Sequence, residues 1–356
     1  MPKVSVLSPT YNHEAYVREA INSVLSQTFA DFELIVGDDC SPDGTADQVR
    51  QLSDPRLTFF ANERNEGASA TWKKCFLRSK GEYLCWFATD DVYEPHFLST
   101  FVKYLDEHRE ALGVFALSRY IDAESKLTGE SWTDIGVGQD RFALLRQLFL
   151  LQHPICAPVG MIRRSVFERL GDFPPYLRQA NDMLFFIKAL FQGEMPILGD
   201  YLLKYRWNPS GENVSARTEA NDSRLDYELF ELLHAYSESI TSPELLKQIF
   251  PEVEDQGWVL NANTVKFHLA QLAIRFNYPS HRLFGLHLLY QLLQDTDTAN
   301  YLREACNFSF ADFFKLSGEY PVLVNHALYG EVLYLRGQVG ELRAKLEAIE
   351  LQKVSL

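Results

Sequence analysis

Two short apolar runs near the start of this 356-residue chain each end on a pair of aspartates. The first run, residues 32–37, leads into Asp38 and Asp39, and the second leads into Asp90 and Asp91. Each run has the length and the β-branched or aromatic content of a buried strand. Neighbouring carboxylates repel each other and are costly to bury, so folding alone does not favour this placement. A divalent cation or a polyhydroxyl ligand at the strand ends would account for it.

Strand and helix signals alternate through the first half of the chain. Strands are predicted at residues 4–7, 32–37, 57–61, 83–88 and 112–117, with helices at 14–27, 45–50, 67–79 and 95–107. Repeated βα units of this length predict a mostly parallel sheet with helices on both faces, which is an α/β fold. Ligands of such sheets bind in the crevice outside the carboxyl ends of the strands, where both aspartate pairs fall.

The alternation loosens after residue 118, and the sequence is helical from about residue 224. Strands are predicted at residues 197–198 and 201–207, and helices at 141–151, 165–170 and 182–191. We therefore predict two domains, one over residues 1–220 and an all-helical one over residues 221–356.

The helical extension ends in a predicted heptad helix, residues 326–352. Its apolar residues alternate steps of four and three over about three repeats, with charged residues between them. They are Leu328, Val332, Leu335, Val339, Leu342, Leu346 and Ile349. Two interpretations stay open: an amphipathic helix that packs on its own domain, or a short coiled coil that makes a homo-oligomer.

Composition bears on partners and location. The net charge of −14 argues against nucleic acid or an anionic membrane as the main partner. Five scattered cysteines without Cys-x-x-Cys spacing indicate a reducing, cytoplasmic location without disulfides. The strand signal at residue 4 leaves no room for a signal peptide, so we expect none. No apolar stretch reaches the ~20 residues that span a bilayer.

Several motifs in the first 215 residues resemble, in the same order, those of family 2 glycosyltransferases with the GT-A fold. They are Val4–Asn12, Glu33–Thr45, Asn65–Gly67, Lys80–Tyr83, Ala88–Asp91 and Asn181–Asp182. The resemblance implies a Rossmann-like GT-A sheet flanked by helices. It also implies transfer of a sugar, with inversion, from a nucleotide-sugar donor to a hydroxyl of a glycan or lipid-linked glycan. A UDP-sugar donor and a role in cell-surface polysaccharide biosynthesis are the expectations that follow.

The resemblance puts the nucleoside end of the donor site at the ends of the first two strands. Pro9, Thr10 and Tyr11 close the first of them, and the ring of Tyr11 offers a face on which a nucleobase can stack. Asp39, with Asp38 behind it, can accept hydrogen bonds from a uracil N–H or from ribose hydroxyls. Turn formation and helix capping are the alternative roles of this pair.

Two further residues are expected at the diphosphate of the donor. Gly67 opens a helix whose free N–H groups can help to hold phosphate charge, although a plain helix start is the alternative. Arg206 can pair with phosphate oxygens in a forked geometry, within a loop that closes over the donor through residues 208–215. A surface arginine without such a function is the alternative for Arg206.

Asp90 and Asp91 match the metal-binding acidic motif of the family, with Ala88 at its first acidic position. The match implies Mn²⁺ or Mg²⁺, bound by one or two carboxylates together with diphosphate oxygens and water. Such a cation neutralises the charge that builds on the departing nucleoside diphosphate. A surface turn without a metal is the alternative.

Asp182 matches the catalytic base of the family, with Asn181 in place of the usual glutamate. The base takes a proton from the acceptor hydroxyl on the side opposite the leaving diphosphate, which inverts the anomeric configuration. A carboxylate at this place also stabilises the start of a helix. For His13 and His153 the sequence indicates neither a catalytic nor a metal-binding role.

Two other functions are compatible with the sequence. Ala88 and Asn181 would suit a catalytically degenerate scaffold that binds a nucleotide sugar. A sugar nucleotidyltransferase shares the general fold, but it needs a Gly-rich, basic phosphate loop after the first strand, and residues 8–12 supply none. If the acceptor is lipid-linked, we expect peripheral docking at the inner face of the membrane through the helical tail.

Overall fold

The computed structural model describes residues 1–171, 173–174, 176–207, 218–257, 259–319 and 338. These residues form two compact units, residues 1–268 and the residues from 269 onward. Among the helices described, none is long and apolar enough to cross a membrane.

The first unit contains a single sheet, which has nine strands over the described residues. They are β1 (Val4–Thr10), β2 (Phe32–Asp38), β3 (Leu57–Ala61), β4 (Tyr83–Trp86), β5 (Val92–Tyr93), β6 (Gly113–Ile121), β7 (Leu127–Ser131), β8 (Gly160–Arg163) and β9 (Ile197–Arg206). The order is β3-β2-β1-β4-β8-β6-β9-β5, and β7 pairs with β6. All but β5, β7 and β8 run in one direction, which confirms the predicted mostly parallel sheet.

Helices connect most of these strands and continue beyond them. They are α1 (Val17–Leu25), α2 (Thr45–Arg50), α3 (Ala68–Arg78), α4 (Phe97–Glu107), α5 (Arg141–Phe149), α6 (Arg164–Leu170), α7 (Asn181–Leu190), α8 (Glu219–Ser239), α9 (Pro243–Ile249), a 3-10 helix (Pro251–Gln256) and α10 (Val265–Arg275). The second unit contains the later part of α10 with α11 (Pro279–Gln294), α12 (Thr296–Cys306) and α13 (Phe310–Glu319).

The core forms because alternate residues of each strand point to the same face of the sheet. Val4 and Val6 of β1 belong to one buried cluster with Ile21 and Val24 of α1. Full burial of an aliphatic side chain of this size contributes roughly 1.5–3 kcal/mol. This packing fixes the position of β1, the strand at whose end the predicted donor site begins.

The structure contains three strands that the sequence pattern misses, β5, β7 and β8. Each is short or lacks a continuous apolar run: β5 has two residues, and every residue of β7 is exposed. β8 runs antiparallel to both of its neighbours, β4 and β6, and so interrupts the parallel order. The two strands predicted at 197–198 and 201–207 are one strand, β9, in which residues 198–200 form an irregularity between the pairs Ile197–Phe115 and Tyr201–Leu117.

The two compact units divide at a different place from the two predicted domains. α8 belongs to the first unit, where the hydroxyl of Tyr236 donates to the carbonyl of Leu145 at 2.8 Å. The Tyr236 ring also lies 5.2 Å from Phe149 and 5.5 Å from Phe191, centroid to centroid. The domain assignment at residues 220 and 221 stays a prediction. The heptad helix at residues 326–352 lies outside the described residues, apart from residue 338.

Candidate active site

The ends of β1 and β2 lie side by side because the two strands are parallel and paired up to Thr10 and Asp38. The N–H of Asp39 donates to the carbonyl of Thr10 at 2.9 Å. Asn12 and Cys40, which follow the two strands, both have left-handed backbones, with φ of 60° and 61°. This conformation is uncommon for residues other than glycine and concentrates at functional sites.

The three residues predicted to meet the nucleoside at the end of β1 differ in accessibility. Tyr11 is 46% exposed, so its ring is free to stack on a base. Pro9 is half-buried, and Thr10 is buried with its hydroxyl 2.6 Å from the hydroxyl of Thr89. The same Thr89 oxygen lies 2.7 Å from Nδ1 of His13. His13 therefore joins the site beside the metal motif, and only its place just after β1 could have indicated this.

Asp39 is buried, and four donors contact its carboxylate. They are the backbone N–H groups of Glu66 and Gly67, at 2.9 and 2.8 Å, Nδ2 of Asn62 at 2.8 Å and the Thr71 hydroxyl at 2.9 Å. Charge-assisted hydrogen bonds of this kind offset the cost of burying the carboxylate. Asp39 thus fixes the turn that starts α3, in which Gly67 has a φ of 90°. The predicted contacts of Asp39 and Gly67 with the donor stay predictions.

Asp38 is buried as well and stabilises the turn after β2. Its Oδ1 accepts the hydroxyl of Ser41 at 2.5 Å, and its Oδ2 accepts the Ser41 N–H at 3.1 Å. This is the local side-chain-to-backbone pattern that aspartate favours in turns. Its predicted place behind Asp39 in nucleoside binding also stays a prediction.

The second acidic pair follows β4. Asp90 is half-buried, whereas Asp91 is 1% exposed. Oδ1 of Asp91 accepts the backbone N–H of Arg206 at 2.8 Å, and its Oδ2 has no hydrogen-bond partner among the described residues. Burial and the neighbouring charge of Asp90 raise the pKa of Asp91 well above its usual range.

Asp90 and the unpaired oxygen of Asp91 fit a hard cation that is completed by its ligand. Mn²⁺ and Mg²⁺ prefer oxygen donors and are usually bound by one or two carboxylates with phosphate oxygens and water. The described part of the chain contains no group of three or more His, Cys, Asp or Glu side chains that could hold a metal ion. Among the described residues this pair would hold the cation, and the donor diphosphate would supply further oxygens.

Arg206 is 3% exposed, and all three of its side-chain nitrogens donate to the protein. Nε donates to the carbonyl of Asp90 at 2.8 Å, and Nη1 to that of Asp122 at 2.6 Å. Nη2 donates to Oε2 of Glu19 and to the hydroxyl of Ser125, both at 2.9 Å. The guanidinium thus connects the acidic turn, through hydrogen bonds, to α1 and to the turn between β6 and β7. Its predicted pairing with phosphate stays a prediction and would require some of these bonds to be exchanged.

Asp182 lies in the first turn of α7, and its Oδ1 accepts the N–H of Met183 at 2.7 Å. Burial raises the pKa of Asp182 to about 6, and the charge of Glu228 on α8 adds to this rise. A carboxyl group that titrates close to neutral pH is suited to general-base catalysis.

Asp182 and Asp91, in the acidic turn after β4, both affect the pKa of the buried thiol of Cys156. Burial raises the pKa of Cys156, and the negative charges of Asp91 and Asp182 both add to the rise. Coulomb interactions weaken with distance, so both carboxyl groups lie near this thiol. The fold therefore brings the predicted base and the predicted metal motif into one region of the first unit.

The sequence pattern misses one further residue of this region, Glu228. It comes after the part of the chain that resembles the glycosyltransferases, in a helix that the pattern marks only as helical. A glutamate at a buried position of an amphipathic helix is the one signal that could have drawn attention to it.

Comparisons with known proteins agree with this architecture. The family model described as glycosyl transferase family 2 matches residues 5–171. An uncharacterized glycosyltransferase of Methanocaldococcus jannaschii is 28% identical over 221 residues, which is 61% of this chain and 74% of that protein. Staphylococcus aureus TarS, a poly(ribitol-phosphate) beta-N-acetylglucosaminyltransferase, is 29% identical over 226 residues. That match spans 61% of this chain and 37% of TarS.

Solved structures show the same fold. The crystal structure of S. aureus TarS 1-349 in complex with UDP-GlcNAc has a TM-score of 0.56 at 19% identity, and the match covers 86% of this chain and 91% of that one. A mannosyltransferase from Pyrobaculum calidifontis in complex with GDP-Man and Mn²⁺ has a TM-score of 0.51 at 18% identity, with 89% and 86% covered. The predicted GT-A fold is confirmed. The predicted resemblance to this family is confirmed as well, because residues 5–171 match the model of glycosyl transferase family 2.

Proposed function

We propose that this protein is an inverting, cation-dependent glycosyltransferase. It transfers a sugar from a nucleotide-sugar donor, first of all a UDP-sugar, to a hydroxyl of a glycan or lipid-linked glycan in cell-surface polysaccharide biosynthesis. The observation that carries the proposal is Asp182, a carboxyl group with a pKa of about 6 in the same region as the acidic turn after β4.

The chemistry follows from the charge states of these residues. Above pH about 6, Asp182 is ionised and can accept the proton of the acceptor hydroxyl. The hydroxyl oxygen then forms a bond to the anomeric carbon as the bond from that carbon to the diphosphate breaks, so the configuration inverts. Asp90 and Asp91 would hold the cation, which supplies charge neutralisation at the diphosphate.

A nucleotide-sugar donor is supported by the similar solved structures and by Tyr11. TarS has been solved with UDP-GlcNAc, and the mannosyltransferase with GDP-Man and Mn²⁺. The exposed ring of Tyr11 can stack on either base, so it supports a nucleotide without selecting one. A donor panel must therefore include UDP-, dTDP- and GDP-sugars.

The proposal is tested by release of nucleoside diphosphate from this panel, with and without Mn²⁺, for the wild type and for Asp182→Asn. We expect turnover of at least one donor by the wild type, dependence on the cation, and loss of transfer in the variant. The anomeric configuration of the product, measured by NMR, checks inversion. A protein that neither binds nor turns over any donor would refute the enzyme proposal, and full transfer by Asp182→Asn would refute the assignment of the base.

A further inference from the structure

A buried glutamate on α8 contacts the backbone segment that leads into α7. Glu228 is 1% exposed. Its Oε1 accepts the N–H of Arg178 at 2.8 Å, and its Oε2 accepts the N–H groups of Gln179 and Ala180 at 2.8 and 2.9 Å. One carboxylate thus binds three consecutive backbone donors immediately before the helix that carries Asp182.

Burial of the Glu228 carboxylate costs free energy, which its hydrogen bonds to the backbone before α7 offset. A buried carboxylate is stable only when its oxygens are hydrogen-bonded, and here each oxygen is. The three N–H groups precede the first turn of α7, where backbone donors have no partner within the helix. Ala180 is the residue directly before α7, and it is buried, so water does not replace the carboxylate there. The position of the helix start therefore depends on Glu228.

We propose that Glu228 is a positioning residue for Asp182: it fixes the backbone of residues 178–180 and thereby the place from which Asp182 takes the acceptor proton. This inference rests on the proposed function. Glu228 itself lies on α8, about two and a half helical turns after its start, and acts through the backbone of another segment. Because displacement of a reacting group by about 1 Å can cost about 10²-fold in rate, such a tie is relevant to catalysis.

The charge of Glu228 gives the proposal a second, independent readout. Its negative charge raises the pKa of Asp182, in addition to the effect of burial. The thiol of Cys156 also interacts electrostatically with Asp182, and burial raises the pKa of this thiol, so it is neutral near pH 7. Loss of the Glu228 charge should therefore lower the pKa of Asp182.

The test compares Glu228→Gln and Glu228→Asp with the control Glu238→Gln, an exposed position on the same helix. The glutamine replaces one accepting oxygen by a donor and removes the charge, and the aspartate keeps the charge but shortens the reach. For each folded variant, kcat, the donor KM and the pH dependence of kcat are measured. We expect Glu228→Gln to lower kcat about 10²-fold with little change in donor KM. Its acid limb should move to lower pH.

The remaining outcomes decide between the alternatives. Glu228→Asp should lose part of kcat while its acid limb stays near that of the wild type, and Glu238→Gln should match the wild type throughout. If Glu228→Gln loses only melting temperature and keeps the kcat and the acid limb of the wild type, the residue is merely structural and the proposal fails. Should Glu228→Gln not fold, an unchanged kcat in Glu228→Asp would refute it equally. Full transfer by Asp182→Asn would instead refute the assignment of the base within the proposed function, and a protein that binds no donor would refute the proposed function itself.

Discussion

Asn181, the first residue of α7, donates its Nδ2–H to the hydroxyl of Ser69 in the first turn of α3, at 2.7 Å. Its Oδ1 accepts the N–H of Asp182 at 2.8 Å. The amide thus joins the start of α7 to the start of α3, which Asp39 fixes through the N–H of Gly67. The proposed base is connected in this way to the turn at the end of β2.

Asn181→Ala should lower both activity and stability. Asn181 is 8% exposed, and its removal loses the hydrogen bonds to the half-buried Ser69 and to the N–H of Asp182, each worth about 0.5–1.5 kcal/mol. We expect a lower melting temperature and a kcat reduced about tenfold or more through displacement of Asp182. Asn22→Ala, at an exposed position of α1, is the matched control. Unchanged kcat in a folded Asn181→Ala protein would show that the amide does not position the base.

Much of this site follows from the sequence because local patterns determine it. Parallel βα units put the ends of β1, β2 and β4 at one edge of the sheet, so the clustering of their acidic residues could be predicted. The four donors to Asp39 could not be predicted. They come from the loop after β3 and from α3, and only the folded chain brings these segments to the end of β2. The burial and hydrogen bonding of Arg206 could not be predicted either, because they involve Asp122 and Ser125, in a turn that the sequence pattern leaves unassigned.

A central role for Asp39 in the fold predicts a large loss of stability in Asp39→Ala. The substitution removes the acceptor of two backbone N–H groups and of two buried donors, the Asn62 amide and the Thr71 hydroxyl. Leaving a buried donor unpaired costs about 1–3 kcal/mol. Chemical denaturation should show a decrease of at least about 3 kcal/mol in the free energy of unfolding. The control is Asp31→Ala, an exposed carboxylate just before β2. A decrease below about 1 kcal/mol would contradict this role.

We expect substitutions of Asp90 and Asp91 to affect activation by Mn²⁺ to different extents. Asp90 is half-buried, whereas Asp91 is buried and bonded to the backbone of Arg206. We expect EDTA to abolish transfer and added Mn²⁺ to restore it. We also expect Asp90→Asn to raise the Mn²⁺ concentration for half-maximal activity about 10–100-fold, as removal of an oxygen ligand weakens binding of a hard cation.

Asp91→Asn is the informative comparison for this prediction. Its amide can still accept the Arg206 N–H, so the variant separates the contact with the backbone from the charge. A melting temperature close to that of the wild type, with weaker Mn²⁺ activation, would support a ligand role for Asp91. Wild-type Mn²⁺ activation in both variants would rule out the acidic turn as the cation site.

Ionisation of Asp182 should favour activity and lower stability. The carboxyl group has a pKa of about 6 in the folded protein and an ordinary value of 3.8 when unfolded, so the folded state binds the proton more tightly. Ionisation between pH about 4 and 6 therefore costs stability, and the full cost persists above pH 6. Asp182→Asn removes that cost. We expect this variant to lose transfer and to melt at a higher temperature than the wild type at about pH 7.5.

The difference between the two melting temperatures should shrink as the pH falls from about 6 toward about 4, because the carboxyl becomes protonated in the folded state. In the wild type, kcat should decrease below pH about 6, because the base is then protonated. Thermal melts and initial rates over the same pH series measure both effects on one preparation. An advantage in melting temperature that grows on acidification would contradict a raised pKa. A wild-type kcat that stays constant from about pH 8 to about pH 5 would show that Asp182 does not take the proton.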